Sequence, residues 1–119
     1  MMVDEKLDYT QLVQHVYNAF NSHNANTALE VIHPEAEWAN TMEGGLLKGH
    51  AEINSYWHRQ WSYIDWNVQF VDLTVEDSGN VVVNTHQIIR DLSGNIVTLK
   101  DVQQVFRIED GRIVEMRVR

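Results

Sequence analysis

The sequence predicts an α+β domain in which N-terminal helices pack on one face of a strongly bent, mainly antiparallel sheet. Residues 7–62 carry apolar side chains at helical spacing with irregular breaks, whereas residues 65–119 form apolar runs separated by short turn sequences. The chain has 119 residues, of which 44% are hydrophobic, and no linker or repeat interrupts it. We therefore expect a single domain over residues 1–119.

The first helix is predicted from a cap and an apolar stripe. Asp8 can accept a hydrogen bond from the first turn, and Gln11, three residues later, can return it. The polar run 21–24 ends the helical pattern. One face of the helix is formed by side chains spaced three and four residues apart, namely Tyr9, Leu12, Val13, Val16 and Phe20.

Three shorter elements and a loop follow. A second helix is predicted over residues 27–32 and is ended by Pro34, because proline has no backbone donor and disrupts a helix interior. Residues 35–40 predict a strand and residues 41–45 a loop that contains glycine. A third helix over residues 50–61 carries an apolar stripe.

Four strands are predicted in the second half of the chain, and the turns between them are short enough to require antiparallel pairing. In the first of these strands the apolar phase changes between Phe70 and Val71, which indicates a β-bulge. The predicted strands span residues 66–75, 81–90, 96–108 and 112–118.

Alternation along the strands predicts which side chains face the core. The even positions are the apolar ones over residues 101–108 and 112–118, so they are expected to point inward. The strand 81–90 is ambiguous because both of its faces are partly apolar, which is typical of a strand covered on both sides. A second copy of the chain on the outer face of the sheet would supply the second cover, and we therefore predict a homodimer.

Composition and charge exclude several classes of partner and chemistry. Seventeen acidic side chains against nine Lys and Arg give a net charge of −8, which disfavours binding to nucleic acid or to an anionic membrane. The chain has no cysteine, so thiolate catalysis and cysteine-ligated metal sites are excluded. No metal or cofactor is expected, because the histidines lack ligand spacing and no phosphate-binding glycine motif is present. No apolar run could cross a bilayer, and the predicted location is the cytoplasm.

Four segments of the sequence, in their order along the chain, are similar to those of a known family. They are 12–21 (LVQHVYNAFN), 28–38 (ALEVIHPEAEW), 48–57 (KGHAEINSYW) and 106–116 (FRIEDGRIVEM). With the order of the predicted elements, they resemble the nuclear transport factor 2-like superfamily, which includes ketosteroid isomerases and SnoaL-like polyketide cyclases. The resemblance implies a cone-shaped, cystatin-like fold that encloses a pocket, and dimerisation through the outer face of the sheet.

The resemblance also places the steroid-isomerase site on this sequence, where every position departs from the pattern. The general base would be Asn40 and the acid that stabilises the oxyanion would be Gln104. The tyrosine of the first helix would be Val16, with Tyr17 beside it facing elsewhere. Neutral amides transfer no proton at pH 7, so steroid isomerisation is not expected, although both amides can orient a polar ligand.

His86 is the candidate catalytic residue. It lies in the strand 81–90 on the same face as Asn84, and the resemblance points that face into the pocket. An imidazole there titrates near neutral pH and can act as a general acid or base. The alternative is a structural histidine bonded to Asn84 or Gln104, since no carboxylate partner is evident beside it. Asp101 is a lesser candidate, because its odd position in the strand 96–108 places its side chain on the outer face of the sheet.

The aromatic residues can form the wall of a ligand site or fill the core beneath the bent sheet. A ligand site of this kind needs a few polar groups among apolar walls. The predicted ligand-binding residues are Trp38, Asn40, Tyr56, Asn84, Gln104 and Phe106.

Two functions remain open from the sequence. The first is a small-molecule-binding domain with an enclosed polar and aromatic cavity and no assigned turnover. The second is a cofactor-free isomerase, cyclase or lyase that uses His86 as its general acid or base. The missing isomerase acids favour binding.

Overall fold

Three helices and two strands make up the first half of the chain. In a computed structural model that describes residues 5–119, the long helix α1 comes first and is followed by the short helix α2. The strands β1 and β2 then lead into the helix α3. The bounds are α1 Glu5–Asn21, α2 Ala25–Leu29, β1 Ile32–Ala39, β2 Leu46–Lys48 and α3 Gly49–Trp61.

The second half forms a meander of four strands, as the sequence predicts. All strands join one six-stranded mixed sheet in the order β2-β1-β6-β5-β4-β3, in which β1 and β6 are parallel and the other neighbours antiparallel. The α+β class is therefore confirmed. The bounds are β3 Ile64–Val75, β4 Val81–Asp91, β5 Ile96–Glu109 and β6 Arg112–Val118.

The hydrophobic core lies between the helices and one face of the sheet, here called the inner face. The helix α1 packs against β3, and α3 packs against β1 and β2. Val13 from α1, Ile53 from α3 and Phe106 from β5 are fully buried there. No helix covers the opposite, outer face in the part of the chain that is described. Within residues 5–119, each helix is too short or too polar to cross a lipid bilayer.

Three predictions about the first half are wrong in detail. The helix α1 begins at Glu5, so Asp8 lies inside it and does not cap it. The second helix ends at Leu29, and Pro34 lies within β1. Its missing donor is tolerated because the register of β1 against β6 shifts between Ile32 and Glu37. The strand β2 was not predicted, because three residues carry no readable alternation.

The start of α3 requires a glycine. Gly49 has a φ of +83°, and a Cβ atom at this position would lie 3.1 Å from the carbonyl oxygen of Pro34. Both the backbone conformation and this close approach of β1 disfavour any residue with a side chain. The last residue of β2 and the first residue of α3 can therefore follow each other without a linker.

The phase predictions for the strands are confirmed in β3 and β5 and only in part in β6. The register of β3 against β4 shifts between Phe70 and Asp72, which is the predicted bulge. Gln104 and Phe106 on β5 point inward and are buried. In β6 Met116 is buried as predicted, but Ile113 rather than Val114 faces the core. The register shift between Arg107 and Ile108 explains this change of phase. Residues 1–4 of the predicted domain lie outside the described part.

Candidate functional site

A small aromatic pocket lies between α1, α3 and the inner face of the sheet. Its volume is about 30 Å³, which is room for one or two water molecules. All of its lining residues belong to helices or strands except Thr41, which is exposed. The pocket therefore reaches the surface beside Thr41. The lining residues are Val16, Tyr17, Phe20, Trp38, Ala39, Thr41, Tyr56, Trp57, Trp66, Val68, Gln104 and Met116.

Two buried polar side chains meet in this pocket. The hydroxyl of Tyr17 donates a hydrogen bond of 2.7 Å to Oε1 of Gln104. Burial raises the pKa of Tyr17 far above its ordinary value, so the hydroxyl stays protonated and remains a donor. The Nε2 of Gln104 has no hydrogen-bond partner among residues 5–119. The pocket therefore offers one unused amide NH2 group within apolar walls.

The aromatic rings that surround this pair are packed edge to face. Phe20 and Trp66 lie 5.3 Å apart between ring centroids, and Trp38 and Trp57 lie 5.7 Å apart. Tyr56 meets Trp66 at 6.4 Å. Such contacts are favourable beyond the area that they bury. The rings thus form a flat-walled cavity that is nearly filled by its own side chains.

Tyr56 connects the pocket to the loop 41–45. The Met42 backbone N–H donates to the Tyr56 hydroxyl at 3.2 Å, and the Thr41 Oγ1 lies 3.5 Å from the same oxygen. Burial is the main reason that the pKa of Tyr56 is raised, so this phenol is also neutral near pH 7. The pocket therefore has no group among its lining residues that is ionised at neutral pH.

Glu43 in the same loop is held by α3. Its carboxylate accepts two hydrogen bonds from Arg59, at 2.9 and 3.1 Å, and one from Gln60 at 3.1 Å. These contacts, with another from Asn40, lower the pKa of Glu43 to about 2. Because the pKa of Glu43 is lowered, its carboxylate is charged at and above the ordinary titration range of glutamate, and the contacts are intact there. They are lost only as the pH falls toward 2 and the carboxylate is protonated.

Three of the predicted ligand-binding residues line the pocket, namely Trp38, Tyr56 and Gln104. Phe106 lies directly behind them, fully buried, with its ring 6.0 Å from that of Trp38. Asn40 is buried but does not line the pocket. Its Oδ1 accepts from the Glu43 backbone N–H at 2.9 Å, so it organises the loop 41–45 instead.

The predicted orientation of His86 and Asn84 is wrong, because both lie on the outer face of the sheet. The odd positions of β4 face inward, and these include Thr85 and Gln87, which are fully buried. Trp66 Nε1 donates to Gln87 Oε1 at 2.9 Å, Gln87 donates to the Thr85 hydroxyl, and that hydroxyl donates to the Val102 carbonyl oxygen. The inner face of β4 can therefore hold polar residues, because these hydrogen bonds replace the ones that the side chains lose to water.

His86 has a carboxylate partner that the sequence did not reveal. Its Nδ1 lies 2.9 Å from Oδ1 of Asp101, which is directly opposite on β5. Asp101 is 88% exposed, as its predicted outward phase requires. Asn84 donates to Asp72 at 2.6 Å on the same outer face. No three His, Asp or Glu side chains in the described part cluster to hold a metal ion.

Tyr17 is one of the pocket residues that the sequence analysis missed. It was placed facing away from the pocket, but it follows Val13 by four residues and precedes Phe20 by three. All three therefore lie on one helical face, and all three are buried. The spacing alone would have been enough to place it.

Comparison with known proteins identifies relatives over almost the whole chain. The sequence model of the SnoaL-like domain matches residues 13–116. No curated protein matches the sequence significantly.

Solved structures with the same fold extend this finding. Bal32a, from a soil-derived mobile gene cassette, is 21% identical, with a TM-score of 0.82 over 98% of this chain and 91% of that one. TerC, co-crystallised with polyporic acid, is 20% identical, with a TM-score of 0.80 over 94% and 90%. Rv0760c of Mycobacterium tuberculosis, in complex with estradiol-17β-hemisuccinate, is 12% identical, with a TM-score of 0.78 over 93% and 92%.

Proposed function

This chain belongs to the SnoaL-like domain family, within the nuclear transport factor 2-like superfamily, and on that premise we propose that it binds a small molecule in the aromatic pocket. The proposed ligand has a flat, mostly apolar body and carries a hydrogen-bond acceptor such as a carbonyl oxygen. The aromatic walls suit the body, and the Gln104 amide suits the acceptor.

The observation that carries this proposal is the Tyr17–Gln104 pair. A side-chain amide can make hydrogen bonds through its oxygen and through its NH2 group, so an NH2 group without a protein partner stays available to a ligand. Gln104 uses its oxygen on Tyr17 and leaves Nε2 free in the pocket. The Tyr17 hydroxyl fixes the amide with its N–H group directed away from that bond. A ligand acceptor would complete the arrangement without moving either side chain.

A ligand of ordinary size needs more room than the pocket offers in this conformation. A volume of about 30 Å³ is far below the roughly 300–1,000 Å³ of typical small-molecule sites. Binding must therefore displace a wall. The exposed end of the pocket, at Thr41, is the part least restrained by helix or strand hydrogen bonds.

The proposal is tested with two probes that bind related folds, polyporic acid and estradiol-17β-hemisuccinate. We expect at least one of them to quench the tryptophan emission in a saturable titration. Gln104→Leu should weaken its Kd by about tenfold, the value of one good hydrogen bond. Gln103→Leu is the matched control, because Gln103 is the adjacent residue on the outer face.

The control should bind as the wild type does, and circular dichroism should show that both variants are folded. Loss of affinity in Gln103→Leu equal to that in Gln104→Leu would contradict the assignment of the site. Failure of both probes to bind the wild type would contradict the proposed ligand class.

A cofactor-free isomerase, cyclase or lyase is the second function considered, and the arrangement of the site favours binding over it. An acid or base for proton transfer must reach the substrate. Tyr17 and Tyr56 are the titratable residues of the pocket lining, and burial raises the pKa of both. His86 has a carboxylate partner but lies across the sheet from the pocket. We therefore propose no role for His86 in the aromatic pocket.

We further propose a homodimer that forms through the outer face of the sheet in the cytoplasm. Leu99 lies opposite Ile88 on this face and is 56% exposed, and Leu92, Ile96 and Val97 nearby are also exposed. The proposed dimer is therefore supported by exposed apolar residues at one end of the outer face. The middle of that face carries His86 and other polar residues.

The dimer prediction is tested by native mass spectrometry at micromolar concentration. We expect a dimer for the wild type and a monomer for Leu99→Asp, because a desolvated charge opposes association. Leu46→Asp is the control, since Leu46 is similarly exposed but lies on β2 at the other edge of the sheet. A monodisperse wild-type monomer would contradict the proposal.

A further inference from the structure

The loop 41–45 differs from every other wall of the aromatic pocket. It connects β1 to β2 and supplies Thr41, the one lining residue in residues 5–119 that lies outside a helix or strand. The next residue, Met42, is half-buried and packs against the core. The loop therefore covers the end at which the pocket meets solvent.

The far end of the loop consists of two adjacent glycines. Gly44 and Gly45 have φ values of +91° and +83°, and a Cβ atom at either position would meet nothing within 4 Å. These glycines are required for their backbone conformation and not for lack of space. The base of the loop is closed by two backbone hydrogen bonds, from Asn40 to Gly45 at 3.0 Å and from Gly44 to Asn40 at 2.8 Å.

The loop is attached to α3 by polar contacts near the surface. Glu43 accepts from Arg59 and Gln60, with side-chain exposures of 39% for Glu43 and 47% for Arg59. The second attachment is the hydrogen bond from the Met42 backbone to the Tyr56 hydroxyl. Exposed ion pairs contribute little to stability, so the contact between Glu43 and Arg59 can break at small cost while the helices and strands stay intact.

We propose that the loop 41–45 is a lid on the aromatic pocket, hinged at Gly44 and Gly45 and latched to α3 by Glu43. Breaking the contact between Glu43 and Arg59 releases the Met42 side chain and opens the pocket beside Thr41. Tyr56 lines the pocket and also holds the lid, so a ligand that binds the Tyr56 hydroxyl displaces Met42 from it. The role in ligand entry rests on the proposed function, whereas the gating itself does not.

The gating is tested without any ligand, in the full-length chain. Glu43→Gln removes the charge of the latch, and Arg59→Met removes its other half while keeping a side chain over the Tyr56 ring. Glu76→Gln is the matched control, because Glu76 also accepts two hydrogen bonds from one arginine, Arg119, at 2.8 and 3.1 Å. The control pair lies away from the pocket lining.

Two readouts separate loop opening from pocket access. Amide hydrogen exchange by NMR at Met42, Glu43 and Gly44 reports opening of the loop, and acrylamide quenching of tryptophan emission reports entry of a small neutral molecule. We expect both latch variants to raise exchange at these amides by up to about fivefold, and to raise the quenching constant, with Glu76→Gln unchanged. Trp38, Trp57 and Trp66 line the pocket, so three of the four tryptophans report on entry into it.

Unchanged exchange in both latch variants would show that Glu43 does not hold the loop. Faster exchange without greater quenching would show that the loop opens but does not gate the pocket. Either result overturns the proposal. If instead both readouts respond but neither probe molecule binds, the lid stands and the proposed ligand class fails.

Discussion

Replacing Trp57 with alanine is expected to lower the free energy of unfolding by about 3–5 kcal/mol, as for other large buried aromatic residues. Trp57 is 2% exposed, and its ring meets Phe20 at 5.6 Å and Trp38 at 5.7 Å in edge-to-face contacts. Its removal leaves a cavity between α3 and the sheet that neither element can close, because both are fixed by their own hydrogen bonds. Urea unfolding followed by circular dichroism measures the change.

Tyr63→Ala is the control for this substitution, because it also removes an aromatic ring but from a residue that is 72% exposed. We expect it to cost less than about 0.5 kcal/mol. The loss of about 3–5 kcal/mol expected for Trp57→Ala is a large part of the stability of a small domain. Trp57→Phe, with an expected cost of about 1–2 kcal/mol, therefore provides a variant that stays folded. Equal costs for Trp57→Ala and Tyr63→Ala would contradict the packing described here.

Asn21→Leu is expected to lower the free energy of unfolding by about 2 kcal/mol, because it leaves buried backbone groups of β3 unpaired. The Asn21 side chain donates to the Val68 carbonyl oxygen and accepts from the Val68 N–H, each at 2.8 Å. It thus takes the place of a neighbouring strand at the open edge of the sheet. Val68 also lines the pocket, so the same contact holds that wall against α1.

Asn18→Leu is the matched control, since Asn18 is exposed and lies one turn earlier in α1. We expect the urea concentration at the midpoint of unfolding to be the same for Asn18→Leu as for the wild type, within experimental error. Amide exchange at Val68 should rise in Asn21→Leu alone, which a general loss of helix stability would not produce. If the two variants lose the same stability, the side chain of Asn21 does not secure the edge of the sheet.

The helices and strands could be read from the sequence because their signals are local. The apolar phase change at Phe70 predicts the bulge that the register of β3 shows. The even positions of β5 predict that Gln104 and Phe106 point inward, and they do. Each of these follows from a period of two or 3.6 residues, which neighbouring residues alone establish.

The strand β4 could not be oriented in the same way. Its inward face contains Thr85 and Gln87, and its outward face contains Ile88, so neither face is distinctly apolar. Gln87 is tolerated inside because Trp66 donates to it from β3. A hydrogen bond between residues 21 positions apart leaves no mark on the local pattern. The orientation predicted for His86 was wrong for that reason.

The sequence by itself determined the fold class, the family, the approximate bounds of α3 and of every strand except β2, and the inward phase of β5. Only the tertiary structure decided which face of β4 lies inside, that Tyr17 meets Gln104 across 87 positions, and that Glu43 ties the loop 41–45 to α3. The physical reason is that periodicity expresses which surface of an element is buried. Which partner satisfies a buried polar group, and how much space the packed side chains leave, depends on segments that meet only when the chain has folded.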